Sequence, residues 1–276
     1  MNEQNKKIAL VTGASSGIGA AAATLLSEKG YQVLATARSM DKLEKLRSNT
    51  IEPFFLDVTD GESIREAFDH LREKFGRLDV LVNNAGYGGF GVIESMPEED
   101  ARKQFDVNVF GAMEVTRAAL PMMREQGSGK IVQLASVVSD ISMPVGGWYA
   151  ASKHAIQGLM DALRLEVEGF GIHVSMIKPG PIDSGFEEAA IEELKKSDPP
   201  AEYQPLIENF TEVFRKMYED CPGPEVVMDA LEKILDSDNP NASYADTLQS
   251  RAMIAAKGIL PASVFDKALR SQLNAS

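Results

Sequence analysis

Short apolar runs alternate with longer amphipathic stretches along most of this chain. Runs at 7–12 (KIALVT), 31–37, 52–58, 78–84, 129–136 and 171–179 read as strands. Between them, 17–30, 41–47, 62–76, 98–126 and 147–170 carry apolar residues at helical spacing. The strand-like runs are continuous in Val, Ile and Leu rather than alternating, as expected of strands covered on both faces. Strand–helix alternation of this kind predicts a doubly wound, mostly parallel α/β sheet of Rossmann type with helices on both sides.

The alternation stops after Pro179. Residues 183–220 are helical in character and rich in Glu and Lys, with a break at Asp198-Pro199-Pro200. A helix is expected over 225–235, a turn over 237–243 and two short helical segments at the end. No repeat, low-complexity tract or linker is visible. The expectation is a single domain over 1–276, with a core over 1–182 and a helical lid and extension over 183–276.

Composition narrows the function classes. With 276 residues, 44% apolar and 25% charged, the chain can bury a sizeable core. A net charge of -13 disfavours nucleic acid as a partner. No stretch approaches a membrane span, and the start, MNEQNKKIAL, lacks a secretory pattern. Cys221 is the only cysteine, so an intrachain disulfide is excluded. A cytoplasmic enzyme fits these features.

Candidate chemistry begins where the first strand runs into Thr12-Gly13-Ala14-Ser15-Ser16-Gly17-Ile18-Gly19 and then a helix. Glycines permit a tight turn and close approach of backbone to a pyrophosphate, and the helix N-terminus favours anions. Three residues separate the first two glycines, so this is not the G-x-G-x-x-G fingerprint. Further along, Tyr149 and Lys153 lie at i and i+4 on one helix and share a face. A nearby ammonium favours a phenolate, so Lys153 is expected to bring Tyr149 towards working pH. Ser136 ends a strand thirteen residues before Tyr149.

Taken in order, the T-G-x-x-x-G-x-G turn, Asn83-Asn84-Ala85-Gly86, Asn108, Ser136, Tyr149-x-x-x-Lys153 and Pro179-Gly180 resemble the short-chain dehydrogenase/reductase superfamily over about 7–185. The phrases LVNNAGYGGFG, FDVNVFG and KPGPID are similar to its 17β-hydroxysteroid-dehydrogenase-like and retinol-dehydrogenase-like branches. The resemblance implies hydride transfer between a nicotinamide and a carbonyl or secondary alcohol, without a metal. Tyr149 exchanges the proton, Ser136 holds the substrate oxygen, Lys153 also binds the nicotinamide ribose, and Asn108 holds a water in a relay behind Lys153.

The same resemblance assigns cofactor contacts to Gly13, Ser15, Ser16, Gly17, Ile18 and Gly19 of the turn. It assigns others to Asp57 and Val58 beside the adenine, Asn84, Ala85 and Gly86 after the fourth strand, and Pro179, Gly180, Ile182 and Ser184 after the sixth. Ser184 stands where the family often has threonine, which keeps the hydroxyl. Ala37 stands where NAD enzymes place a carboxylate, and Arg38 follows it. A guanidinium forks onto two phosphate oxygens, so NADP(H) is expected, with NAD(H) the alternative. The family commonly forms dimers or tetramers, so a homo-oligomer is expected, although the extended C-terminus puts the usual tetramer contact in question.

The segments expected to face substrate are 87–90, 137–148 and the lid, contributing Phe90, Met143, Val145, Trp148 and Phe186. Such a pocket suits a bulky hydrophobic substrate, such as a steroid, retinoid or long-chain ketone. Two other readings stand beside it. One is a 3-oxoacyl-carrier or CoA reductase, disfavoured by acidic Glu187, Glu188, Glu192 and Glu193 on the lid. The other is a dinucleotide-sensing binding protein without turnover, disfavoured by the intact Ser136, Tyr149, Lys153 and Asn108 set.

Overall fold

The computed structural model describes residues 6–245 and 247–274. The expectation of a leaderless start rests partly on residues 1–5, which lie outside them. Seven strands form one sheet: β1 (Ile8–Thr12), β2 (Gln32–Ala37), β3 (Ile51–Phe55), β4 (Val80–Asn83), β5 (Gly129–Leu134), β6 (Ile172–Lys178) and β7 (Ser243–Ala245). Their order is β3-β2-β1-β4-β5-β6-β7, and every neighbouring pair is parallel. The order reverses between β1 and β4, so a crevice opens beyond their carboxyl ends.

Eleven α-helices accompany the sheet among the described residues: α1 (Gly17–Glu28), α2 (Met40–Leu43), α3 (Gly61–Lys74), α4 (Glu98–Phe105), α5 (Ala112–Gln126), α6 (Gly147–Val167), α7 (Phe186–Lys195), α8 (Gln204–Glu219), α9 (Glu225–Asp236), α10 (Leu248–Ile259) and α11 (Ala262–Asn274). Successive strand side chains point to opposite faces. Leu10, Leu81 and Ile131 therefore pack one face against α3, α5 and α6, through residues such as Phe68, Met123 and Ile156. Val11, Val82 and Val132 pack the other face against α1 and α9, through Leu26, Leu231 and Ile234. Both faces are apolar, which is why the runs do not alternate. A third cluster joins Phe90 and Tyr149 to α7 and α8.

The structure departs from the sequence expectation in three places. The stretch 98–126 is not one α-helix: Asp106–Gly111 is a π-helical segment between α4 and α5. β3 ends at Phe55 instead of 58, because the Asp57 carboxylate takes the Thr59 N–H at 2.9 Å and starts a turn. Its Pro53 is tolerated because β3 is an edge strand. β7, three residues long, was not expected. It is held by its neighbour: Ser175 Oγ donates to the Asn241 carbonyl at 2.8 Å, and the Met176 N–H to the Ala242 carbonyl at 2.9 Å.

Candidate active site

β1 delivers the chain to the crevice at Thr12. Gly13 follows with φ +65°, and a Cβ there would stand 2.9 Å from the Ala85 Cα. Only glycine lets the turn take this left-handed conformation so close to the segment after β4. Gly17 also has positive φ, at +53°, and a Cβ there would meet the Ser184 Cβ at 3.0 Å. Ser16 precedes α1 in extended conformation and makes no capping bond through its side chain, which leaves the first-turn N–H groups available to an anion. Gly19 plays a different part: it packs on the Gly13 carbonyl and Asn84 Nδ2 and does not line the cleft.

Asn84 ties β4 to β1. Its Nδ2 donates to the Thr12 carbonyl at 3.0 Å and the Gly13 carbonyl at 3.1 Å. Thr12 Oγ1 accepts the N–H groups of Asn84 and Ala85, each at 3.0 Å. The turn is thus preformed by protein contacts.

A cleft of about 850 Å³ extends from this turn, lined by Gly13, Ser15, Ser16, Arg38, Asp57, Val58, Ala85 and Gly86 among others. Arg38 is exposed at the end of β2. Burial pushes the Asp57 carboxyl up, but the Thr59 N–H and hydroxyl, with Arg38 nearby, hold it below its ordinary range. The shape and the glycine cradle fit the adenosine and pyrophosphate portion of a dinucleotide, whose phosphates the α1 N-terminus could hold.

A second cavity of about 330 Å³ shares the Gly13 and Ala85–Tyr87 walls and contains Ser136, Tyr149 and Lys153. Gly17, Ile18, Asn84, Pro179, Gly180, Ile182 and Ser184 also line it. Tyr149 and Lys153 project from the first turns of α6 and are 7% and 8% exposed. Ser136, just past β5, caps a short 3-10 turn by accepting the Val138 N–H at 3.3 Å, and its hydroxyl reaches the Pro179 carbonyl at 3.5 Å.

Burial dominates the electrostatics here. It pushes Tyr149 up to about 12, and the nearby Ser136 hydroxyl offsets this only in part. It lowers Lys153 to about 8. The Lys153 ammonium donates to the Leu134 carbonyl at 3.1 Å and lies 5.8 Å from the Tyr149 ring centroid. The expectation that Lys153 brings Tyr149 towards working pH is not met: the phenol is shifted upward, with burial the largest cause. Tyr149 is a neutral phenol at neutral pH.

Asn108 lies within the π-helical segment, a geometry that recurs at functional sites. Its Oδ1 accepts the Tyr87 N–H at 3.0 Å, while Nδ2 donates to the Tyr87 carbonyl at 2.9 Å and to Ser152 Oγ at 3.1 Å. It lines neither cavity. It stands behind Lys153 and fastens the loop after β4 to α6.

Residues 7–195 match the short chain dehydrogenase family. The chain belongs to this family and is an oxidoreductase. It is 34% identical to a Helicobacter pylori protein named "Probable short-chain type dehydrogenase/reductase VdlC", over 95% of this chain and 96% of that one. It is 32% identical to human retinol dehydrogenase 8, over 84% of this chain and 78% of that protein. Among solved structures, a short-chain dehydrogenase from Streptomyces avermitilis superposes with a TM-score of 0.82 at 31% identity, covering 97% of this chain and 96% of that one.

The substrate side of this short-chain dehydrogenase differs from the sequence expectation. Phe90, Met143 and Phe186 line the cavity that holds Tyr149, but Val145 and Trp148 do not. Trp148 stacks edge-on against Phe105 of α4, with centroids 6.3 Å apart. Val145 is buried at φ +65°, a rare conformation for a β-branched residue, and its carbonyl accepts the Gly91 N–H at 2.8 Å. Sequence reasoning missed Phe214, Met217 and Tyr218 of α8, which also line that cavity. The spacing of Phe210, Phe214 and Tyr218 at i, i+4 and i+8 was the available signal. It also missed Thr12 as the residue that holds the turn.

Proposed function

We propose that this oxidoreductase uses NADP(H) to interconvert a ketone and a secondary alcohol on a bulky hydrophobic molecule. The observation that carries the reading is that Tyr149 and Lys153, both buried, share with Ser136 a cavity lined by Phe90, Phe186, Phe214 and Met217. The nicotinamide supplies or accepts the hydride when bound. Ser136 and Tyr149 hold the substrate oxygen between two hydroxyls. In reduction Tyr149 gives its proton to that oxygen, and in oxidation it takes one back. Lys153 holds the nicotinamide ribose and stands beside Tyr149, and Asn108 positions the loop beneath both.

Arg38 supports the choice of NADP(H): it lines the adenosine cleft at the end of β2, where Ala37 offers no carboxylate. Hydrophobic walls support the substrate class, since a sugar would call for more hydrogen-bonding groups. The acidic side chains of α7 oppose docking of an acidic carrier protein. A homo-oligomer accords with exposed Phe110 (61%), Leu159 (42%) and Leu165 (71%), which a second copy would cover.

The test is NADPH oxidation against a panel containing a steroid ketone, a long-chain ketone, a carrier-linked ketoester and small polar ketones. Higher kcat/KM for the bulky apolar ketones is expected. Preference for the polar or carrier-linked ones would overturn the substrate class, and turnover with NADH alone would overturn the cofactor.

A further inference from the structure

Helix α8 places Phe210, Phe214 and Tyr218 on one face, one turn apart. Phe210 and Phe214 are buried and stack at 5.2 Å between centroids, and both pack on Phe90. Tyr218 continues the ridge, 5.0 Å from Phe214. Packing alone would be served by phenylalanine at this third position, as it is at the first two.

The third ring carries a hydroxyl, and that hydroxyl sits differently from the phenol of Tyr203. Tyr203, at the start of α8, donates to Glu94 at 2.6 Å on the exposed surface. Tyr218 lines the catalytic cavity with Tyr149 and Phe186, and is the polar side chain α8 brings to that wall. Its ionisation is opposed by burial first and then by Tyr149, Cys221 and Glu187, so it stays a neutral phenol able to donate or accept. Beside it, α7 and α8 bring Phe186, Ala189, Phe214 and Met217 to the cavity, all apolar. On an apolar stretch of wall, a placed hydroxyl orients a ligand through that group.

We propose that Tyr218 is a specificity-determining residue that hydrogen-bonds a second oxygen of the substrate, carried near the carbon that reacts at Tyr149. The substrate class is then an apolar ketone or alcohol bearing a neighbouring hydroxyl or carbonyl. This inference rests on the reading of the cavity as a ketone and alcohol site. Tyr149 and Ser136 engage the reacting oxygen, and Tyr218, brought to the same cavity by α8, engages the second one. A substrate lacking that oxygen leaves the Tyr218 hydroxyl facing carbon.

The experiment compares 2-hydroxyacetophenone with propiophenone, which differ by hydroxyl against methyl, in the wild-type protein and Tyr218→Phe. NADPH binding, followed by fluorescence, verifies that the variant is folded. The variant should lose about tenfold in kcat/KM for 2-hydroxyacetophenone, mostly in KM, and stay within about threefold for propiophenone. Equal losses for the two ketones, or no loss for either, would overturn the role of Tyr218 while leaving the ketone site standing. If the wild-type protein oxidises NADPH with neither ketone nor with any other, the reading of the site falls and this inference falls with it.

Discussion

Thr12 and Asn84 bond to each other twice: the Asn84 N–H to Thr12 Oγ1, and the Asn84 side-chain amide to the Thr12 carbonyl, both at 3.0 Å. The pair joins the carboxyl ends of β1 and β4, where strand order reverses and the crevice opens. Thr12 is 1% exposed, so no water can replace its hydroxyl.

Thr12→Val keeps the shape and removes the acceptor, leaving the Asn84 and Ala85 N–H groups without it. A loss of about 1–3 kcal/mol in unfolding free energy is expected, read by urea denaturation. NADPH affinity should fall as well. Thr12→Ser should behave close to wild type, and if it is as damaged as the valine variant, the hydroxyl is not what holds the turn.

Tyr149→Phe removes the transferable proton and little else. Turnover should drop at least about 100-fold, while NADPH affinity by fluorescence titration changes little. A variant retaining near-normal kcat would show that another group moves the proton.

Arg38→Asp replaces a fork suited to phosphate with a like charge. NADPH binding should weaken by at least about 1.5–3 kcal/mol, the worth of the lost charge-assisted bonds. NADH binding should change far less, and calorimetric titration with both cofactors measures the difference. Equal losses would mean that Arg38 does not meet the 2′-phosphate.

Lys153, lowered to about 8 from the ordinary 10.5 by burial, makes stability depend on pH. Between those values the unfolded chain holds a proton that the folded protein has released, so this group makes stability rise with pH there. Its contribution is complete above the unfolded value and lost as pH falls through the folded one. Lys153→Met should abolish that rise, so the variant's advantage in Tm near neutral pH shrinks from about pH 8 to 10.5. Tyr149 acts in the opposite sense at higher pH: raised from 10.0 to about 12, it adds stability below the lower value that is lost as pH climbs past the upper. A wild-type minus variant difference that is flat with pH would contradict the burial of a cationic Lys153.

By itself the amino-acid sequence determined the alternation of strands and helices, the glycine turn, and the Tyr149 and Lys153 pair on one helix face. These are local properties. A two-residue or 3.6-residue period, a positive φ or an i to i+4 spacing is set by neighbours in the chain. Tertiary structure alone decided what depends on distant partners. β7 is a strand because β6 offers an edge to Ser243–Ala245, and three residues carry no period of their own. Asn108 is fixed between a loop and α6, neither of which adjoins it in sequence. Trp148 turns to α4 while Phe214 and Tyr218 wall the cavity, a choice made by how α6 and α8 are rotated as they pack. Tyr149 is shifted upward for the same reason: Lys153 lies one turn away by sequence, but the depth of burial, which only the packed lid and core create, disfavours the phenolate.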